Sequence, residues 1–379
     1  MKTISIASIG GDGIGPEVIR EGKKVIEAAA SLEHINIEWV DYDFGAERYL
    51  KSGKLITDEE LDELSKFKAI YFGALGDPRV PPGILELGII IKIRTFFDQY
   101  INLRPVKLYP GVETPLKNKT PEDINIYFIR ENTEDFYSDL GIKIEKKQDS
   151  EISFKLKRQK YSISFHIETK SENIDTFSYQ LGFLTQFGVE RVFKYAFEMA
   201  REKNIKKITT ADKANVMPFY GLWREIFKKI SENYPEIETE NLQADALSMW
   251  LIKKPEKFSL VVLPNLFGDI LTDLGAAIQG GLGIAPGGNI NPEGTSMFEP
   301  IHGSAPSYKG KNISNPLATI LAGSMMLEFL GLKKASKIIE NKVSELLLEG
   351  KVRTYDLGGK SKTEDVGNEL VKKILITEK

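Results

Sequence analysis

Strand-like and helix-like segments alternate along this chain from its first residues, and that alternation places it in the α/β class. ISIASI reads as a strand, GGDGIGP as a tight turn, and the stretch from Pro16 to about Ala30 as a helix with proline at its first position. INIEWVDYDF is again strand-like, ITDEELDELSKF is helical, and KAIYFGAL is a strand. A second block opens after INLRPVKLYPGV, whose prolines and glycine mark a crossover, and continues with the strand INIYFIREN at 124–132. The first domain boundary is expected there.

From about 143 to 172 the chain turns polar and alternates apolar with polar residues, as in KLKRQKYSISFHIETK, which predicts a protruding hairpin or arm. A helix, VERVFKYAFEMAREKN, a strand, KKITTAD, and a helix through YGLWREIFKKISENY follow. FSLVVLPNLF at 258–267 reads as a buried strand running into a helix, a place where ligands gather in α/β proteins. The C-terminal part returns to helix with NPLATILAGSMMLEFLG and ASKIIENKVSELLLEG, consistent with a first domain completed by the end of the chain.

Composition narrows the function. With 379 residues, 41% hydrophobic and 28% charged, the chain has the balance of a soluble globular protein, and no apolar run is long enough to span a bilayer. The N-terminus reaches a glycine turn too early for a signal peptide, so a cytoplasmic location is expected. Cysteine is absent, which excludes disulfides, thiol catalysis and cysteine-held metals. A net charge of -3 from 51 basic and 54 acidic residues offers no general attraction to nucleic acid. The partner should be small and anionic.

Asp269 and Asp273 stand four residues apart in NLFGDILTD, so on a helix they share a face and can grip one divalent cation. Acidic oxygens without histidine or cysteine suit Mg²⁺ or Mn²⁺ better than zinc, and Asp245 is a further acid of this kind. Arg94, Arg104 and Arg130 lie at the ends of elements, where their guanidinium forks suit the carboxylates of a dicarboxylate substrate. Tyr137 and Lys213 are the available proton carriers. GGDGIGPEV is not a dinucleotide fingerprint, because Gly11, Gly13 and Gly15 recur every second residue. The better cofactor candidate is EPIHGSAPSYKGKNISNP, beginning at Glu299. Gly303, Ser304 and Ala305 allow close backbone approach to phosphates, His302 can bond a ribose or base, and Asn315 offers an amide.

IGGDGIGPEV, FDQYINLRPVKLYPGV, IRENTEDFYS, DKANV, NLFGDILTDLGAA and FEPIHGSAPSYKGKNISNPLATILAG together resemble the β-decarboxylating dehydrogenases over nearly the whole chain. The resemblance implies a two-domain fold with a mixed sheet, distinct from the Rossmann fold, and an active-site cleft between domains and across a homodimer. Residues 1–99 and 280–379 would form the cofactor-binding domain, and residues 100–279 the substrate, metal and dimerisation domain. Arg94, Arg104 and Arg130 would clamp the malate moiety, and Asp269 and Asp273 would hold Mg²⁺ or Mn²⁺ with the partner's Asp245. Tyr137 would be the general acid and the partner's Lys213 the base. In this family the helix before Arg94 faces the group that distinguishes substrates. Ile90 and Ile91, with Val216 nearby, make an apolar wall there, which disfavours isocitrate and favours 3-isopropylmalate, with D-malate or tartrate the alternative and homoisocitrate further behind. Ser307 and Tyr308 stand where NAD enzymes of the family carry a repelling Asp, yet YDLGGKS keeps their DLGG. NAD is expected, with NADP open. A non-catalytic regulatory subunit would have lost some of these residues, and none is missing.

Overall fold

The computed structural model describes residues 2–138, 140–145 and 150–376. The first part of the chain forms β1 (Lys2–Gly11), α1 (Gly15–Ser31), β2 (Ile35–Tyr42), α2 (Ala46–Ser52), α3 (Asp58–Leu64), β3 (Ala69–Ala74) and α4 (Lys92–Phe96). The middle forms β4 (Ile101–Lys107), β5 (Asn125–Glu131), β6 (Gly141–Glu145), β7 (Ser150–Lys157), β8 (Ser162–Thr169), β9 (Thr176–Gln180), α5 (Gln186–Glu202), β10 (Lys207–Asp212) and α6 (Gly221–Ser231). Then come β11 (Glu238–Gln243), α7 (Ala244–Lys253), β12 (Leu260–Leu263), α8 (Asn265–Ile278), β13 (Pro286–Ile290), β14 (Ser296–Pro300), α9 (Leu317–Phe329), α10 (Lys333–Glu349) and α11 (Thr363–Ile376).

Ten strands make one continuous mixed sheet in the order β11-β10-β12-β5-β4-β13-β14-β3-β1-β2. Its flanks are parallel, whereas β5, β4, β13 and β14 at the centre pair antiparallel. Strands from 1–99 and 280–379 occupy one flank, and strands from 100–279 the other. The expected crossover INLRPVKLYPGV corrects to a central strand, β4, with its turn only after Lys107. Pro105 is tolerated in it because β13 pairs only as far as Leu103.

The side-chain alternation of the strands sorts the core. Tyr71 and Ile129 point to one face, where α1, α5, α6, α9, α10 and α11 bury a single apolar layer. Ile70 and Phe72 point to the other, under α2 to α4, while Phe128 and Ile126 lie under α7 and α8. The candidate site forms on this second face, between those two helical groups.

Local signals behave as their chemistry requires. α3 begins with a reciprocal capping box, in which Thr57 accepts from Glu60 N at 3.3 Å and Glu60 accepts from Thr57 N at 2.9 Å. Gly13 adopts φ +57°, and a Cβ there would lie 1.9 Å from the Ser304 carbonyl oxygen, so the GGDGIGP turn packs directly on the segment expected to hold the cofactor. The arm forms two separate two-stranded ribbons, β6 with β9 and β7 with β8, extending past residue 172. Residues 146–149 of it lie outside the described residues. No helix among the described residues is long and apolar enough to cross a membrane.

Candidate active site

α8 starts where β12 ends, and its first residue, Asn265, is buried with both amide ends engaged. Its Oδ1 accepts from Arg130 Nε at 2.8 Å and its Nδ2 donates to the Glu134 carbonyl at 3.1 Å. Arg130 leaves the end of β5 and crosses over Gly268, where a Cβ would stand 2.4 Å from Arg130 Cγ. Only glycine at that position lets the guanidinium reach Asp269, with which it forms an ion pair, and lie 4.8 Å from the ring centre of Tyr137. The Tyr137 hydroxyl donates to the second Asp269 oxygen at 2.6 Å. Arg104, from β4, donates to Asn102 and Thr272, both at 2.6 Å, and reaches Asp269 at 3.5 Å and Asp273 at 3.4 Å. Arg94, in α4, donates through Nη2 to Glu299 at 2.9 Å, while its Nε is buried without a partner. Three arginines, two aspartates and a phenol are therefore gathered in one cluster, with the charge of Arg94 also felt at Asp269.

Burial alone would raise the Asp269 carboxyl, but Arg130, Tyr137 and Arg104 outweigh it and hold the group below its ordinary range. Asp273 is raised by burial, with Arg104 opposing and Asp269 adding to the rise. Burial and the bond to Asp269 push Tyr137 up to about 12, so its phenol keeps its proton at neutral pH. Burial, with Arg130 beside it, lowers Arg104 to about 10, still cationic at neutral pH. The cluster offers donors and positive charge to an anion and carries a phenol that keeps its proton.

Lys213 and Asp245 lie together instead, 2.8 Å apart, with the Asp245 side chain exposed. Among the described residues no three His, Asp or Glu side chains gather as a metal cage, so Asp245 does not join Asp269 and Asp273 within one chain. Lys213 is presented by a turn that buried Asp212 anchors, accepting from Ala214 N at 2.7 Å, from Arg224 Nε at 2.7 Å and from Asn241 Nδ2 at 3.2 Å. Val216 stands on the same turn, 68% exposed. Ile90 packs against the core under α4 and Ile91 is half-buried, both within the π-helical stretch Glu86–Ile91 that runs into α4.

In the expected cofactor segment, His302 Nε2 is buried with no partner, and Gly303 has open space where a Cβ would be. Ala305 takes the left-handed conformation at φ 39°, a strained position for a residue with a Cβ. These features fit a loop shaped around a ligand. Ser307 is exposed and Tyr308 lies 5.6 Å from Tyr355, ring centre to ring centre. Asn315 Nδ2 donates to Asp356 at 2.9 Å and its Oδ1 accepts from Leu317 N at 3.0 Å, which leaves a second amide hydrogen. Glu299 is committed to Arg94 and Asn289.

IRENTEDFYS also carries acids that the sequence reading left unassigned. Glu134 is buried, accepting from Thr185 N at 2.7 Å and from the hydroxyls of Tyr161 at 2.5 Å and Thr185 at 2.6 Å. Burial, with Glu131 adding to it, raises its carboxyl to about 7. A carboxyl raised on folding adds stability below its unfolded pKa and loses it as pH rises through the folded value. Stability should therefore fall between about pH 4.5 and 7, and Glu134→Gln should flatten that slope. Urea unfolding of both proteins across this range tests it; parallel curves would refute the assignment.

Buried asparagines that hydrogen-bond the candidate-site side chains were also left unassigned by sequence reasoning: Asn102, Asn265 and Asn289. Their only signal is an amide inside an otherwise apolar strand or at a helix start.

Arginines and carboxylates gathered around a protonated phenol define an enzyme that handles a small anion, and comparison with known proteins gives its class. The isocitrate/isopropylmalate dehydrogenase family model matches residues 5–370, and the chain belongs to that family. It is an oxidoreductase of the decarboxylating dehydrogenase kind. It is 42% identical over 347 residues to 3-isopropylmalate dehydrogenase of Thermobifida fusca, covering 91% of each chain. It is 44% identical over 343 residues to the decarboxylating D-malate dehydrogenase of Escherichia coli, covering 87% of this chain and 86% of the relative. The crystal structure of isocitrate dehydrogenase from Methylococcus capsulatus superimposes with a TM-score of 0.82 at 32% identity, covering 98% of this chain and 99% of that one.

Proposed function

We propose that the chain carries out metal-dependent oxidative decarboxylation of a (2R)-malate-type 2-hydroxy acid, with NAD as hydride acceptor and 3-isopropylmalate as preferred substrate. The observation that carries this reading is the convergence of Arg94, Arg104 and Arg130 beside Tyr137 and Asp269, with Arg94 retaining an unspent buried donor. Guanidinium groups at that spacing bind the carboxylates and orient the hydroxyl carbon. Asp269 and Asp273 present oxygens on one face of α8 and suit Mg²⁺ or Mn²⁺, while His302, Gly303, Ser304 and Ala305 suit a nucleotide. When bound, the cation supplies positive charge at the developing enolate oxygen and the nicotinamide supplies the hydride acceptor. The partner subunit's Lys213 takes the hydroxyl proton on Nζ, and Tyr137 later returns a proton from Oη to the carbon that has lost CO₂. NADP is the alternative to NAD, since Ser307, Tyr308 and Lys309 are themselves not acidic, the nearest carboxylate being Glu47, 3.7 Å from Lys309.

Ile90, Ile91 and Val216 all keep part of their surface exposed, and an apolar wall made by the three would favour an isopropyl group by about 2 kcal/mol over plain malate. The two relatives are nearly equally similar, so measurement decides: the ratio of specificity constants for 3-isopropylmalate and D-malate should be roughly ten or more. A ratio below one would make D-malate the substrate.

A homodimer with shared sites accounts for Lys213 and Asp245 standing apart from Asp269. Supporting it, α7 exposes Met249 and Ile252, α8 packed against it exposes Ile270, and the β7–β8 ribbon leaves its apolar face, Phe154, Ile163 and Phe165, only partly covered. Residues 1–99 with 280–379 would then form the cofactor-binding domain and residues 100–279 the dimerising one, in a cytoplasmic enzyme. Mixing Arg94→Ala with Lys213→Ala subunits should restore activity to inactive parents, since each heterodimer would hold one intact site. No recovery in verified heterodimers would place the whole site in one chain.

A further inference from the structure

Arg94 and Arg104 belong to opposite flanks of the sheet, yet a single chain of side-chain hydrogen bonds joins them. Arg104 Nε donates to Asn102 Oδ1 at 2.6 Å, and Asn102 Nδ2 donates to Asn289 Oδ1 at 2.8 Å. Asn289 Nδ2 donates to Glu299 Oε1 at 2.7 Å, and that same oxygen accepts from Arg94 Nη2 at 2.9 Å. Asn132 joins at the hub, donating to Asn289 Oδ1 at 3.0 Å and to the Gln99 carbonyl at 2.8 Å. Asn102 and Asn289 are fully buried, and Asn132, Arg104 and Glu299 nearly so. Asn102 and Asn289 face each other across the β4–β13 pairing, the junction between the two flanks.

We infer that Asn289 is a positioning residue whose amide sets the spacing between the Arg94 and Arg104 guanidinium groups across the middle of the sheet. The inference rests on the proposal above that these two arginines bind substrate carboxylates. Asn289 is the one member that both accepts from the β4 side and donates to the β14 side. An apolar residue there cannot do either, and a carboxylate can only accept. Buried polar groups left without partners rotate or recruit water, and a displacement of about 1 Å at a positioning group costs on the order of a hundredfold in rate. The donor requirement is specific: Glu299 needs an N–H or O–H from position 289, because its oxygen otherwise faces only Arg94.

The test uses Asn289→Leu and Asn289→Asp in the full-length enzyme with D-malate and with 3-isopropylmalate, at saturating Mg²⁺ and NAD. Asn289→Leu should raise KM for both substrates by about tenfold or more, with kcat falling less, at every pH from 6 to 9. Asn289→Asp should match that defect at high pH, where the new carboxylate repels Glu299. It should recover toward the parent KM at low pH, where the protonated carboxyl donates to Glu299 as the amide did. A residue that merely fills space would give no such pH-dependent recovery. KM values within twofold of the parent for Asn289→Leu, or an Asn289→Asp defect that does not vary with pH, would overturn the inference. Should the parent turn over neither substrate, it is the proposed function that fails. The hub is then read from thermal unfolding, where Asn289→Asp should gain stability over Asn289→Leu as pH falls, and parallel profiles would overturn it.

Discussion

Asp269→Asn should lower kcat/KM by on the order of a thousandfold and should also destabilise the protein. Among the described residues Asp269 is the only carboxylate that meets Arg130, Tyr137 and Arg104 together, so the amide removes both a candidate cation ligand and the countercharge of two buried guanidinium groups. Removing one partner of a fully buried pair costs about 3–5 kcal/mol. Asp269 is 39% exposed, and solvent screening reduces this to roughly 1–3 kcal/mol. Asp273→Asn separates the two effects, because Asp273 touches Arg104 only at 3.4 Å and its side chain is 59% exposed. Its stability should stay near that of the parent while its Mg²⁺ requirement rises. Steady-state kinetics over a Mg²⁺ titration, together with urea unfolding, supply the check. Unimpaired turnover by Asp269→Asn in EDTA would sink the metal assignment.

Tyr137→Phe should reduce kcat by about 10²–10⁴, the usual contribution of a positioned proton donor. The substitution keeps the ring beside Arg130 and deletes only the hydroxyl, so folding should be little changed. With its phenol pushed up to about 12, the parent holds this proton throughout the neutral range and has it ready for a carbanionic product. Rapid-mixing measurements should show cofactor reduction in the first turnover continuing while steady-state release of the protonated product slows. A variant turning over within tenfold of the parent would remove Tyr137 from the acid role.

Much of the site was legible in the chain because its signals are local. Four residues make slightly more than one helical turn, so Asp269 and Asp273 had to share a face once FSLVVLPNLF led into a helix, as β12 and α8 do. Gly13 and Pro16 identified the turn and start of α1 for equally local reasons, backbone freedom and a fixed φ. Other elements escaped. β13 and β14 are short and lie in a glycine- and proline-rich stretch with no alternating pattern, and α7 has its apolar residues spread around most of its circumference. The pairing of Asn315 with Asp356 escaped as well, because an amide's partner is chosen by whatever packs against it.

By itself the sequence determined the α/β class, the elements around Asp269, and the kinds of charge available to a small anionic ligand, since periodicity and spacing act over a few residues. Only the tertiary structure decided that β4 and β13 meet at the centre of one sheet, and that Arg104, Arg130 and Tyr137 close on Asp269. It also decided that Asn102 pairs with Asn289 from 187 residues away. Those contacts depend on which strands pair and in what register, and that choice follows from burying the apolar faces of distant segments against each other, a property of the whole chain rather than of any stretch within it.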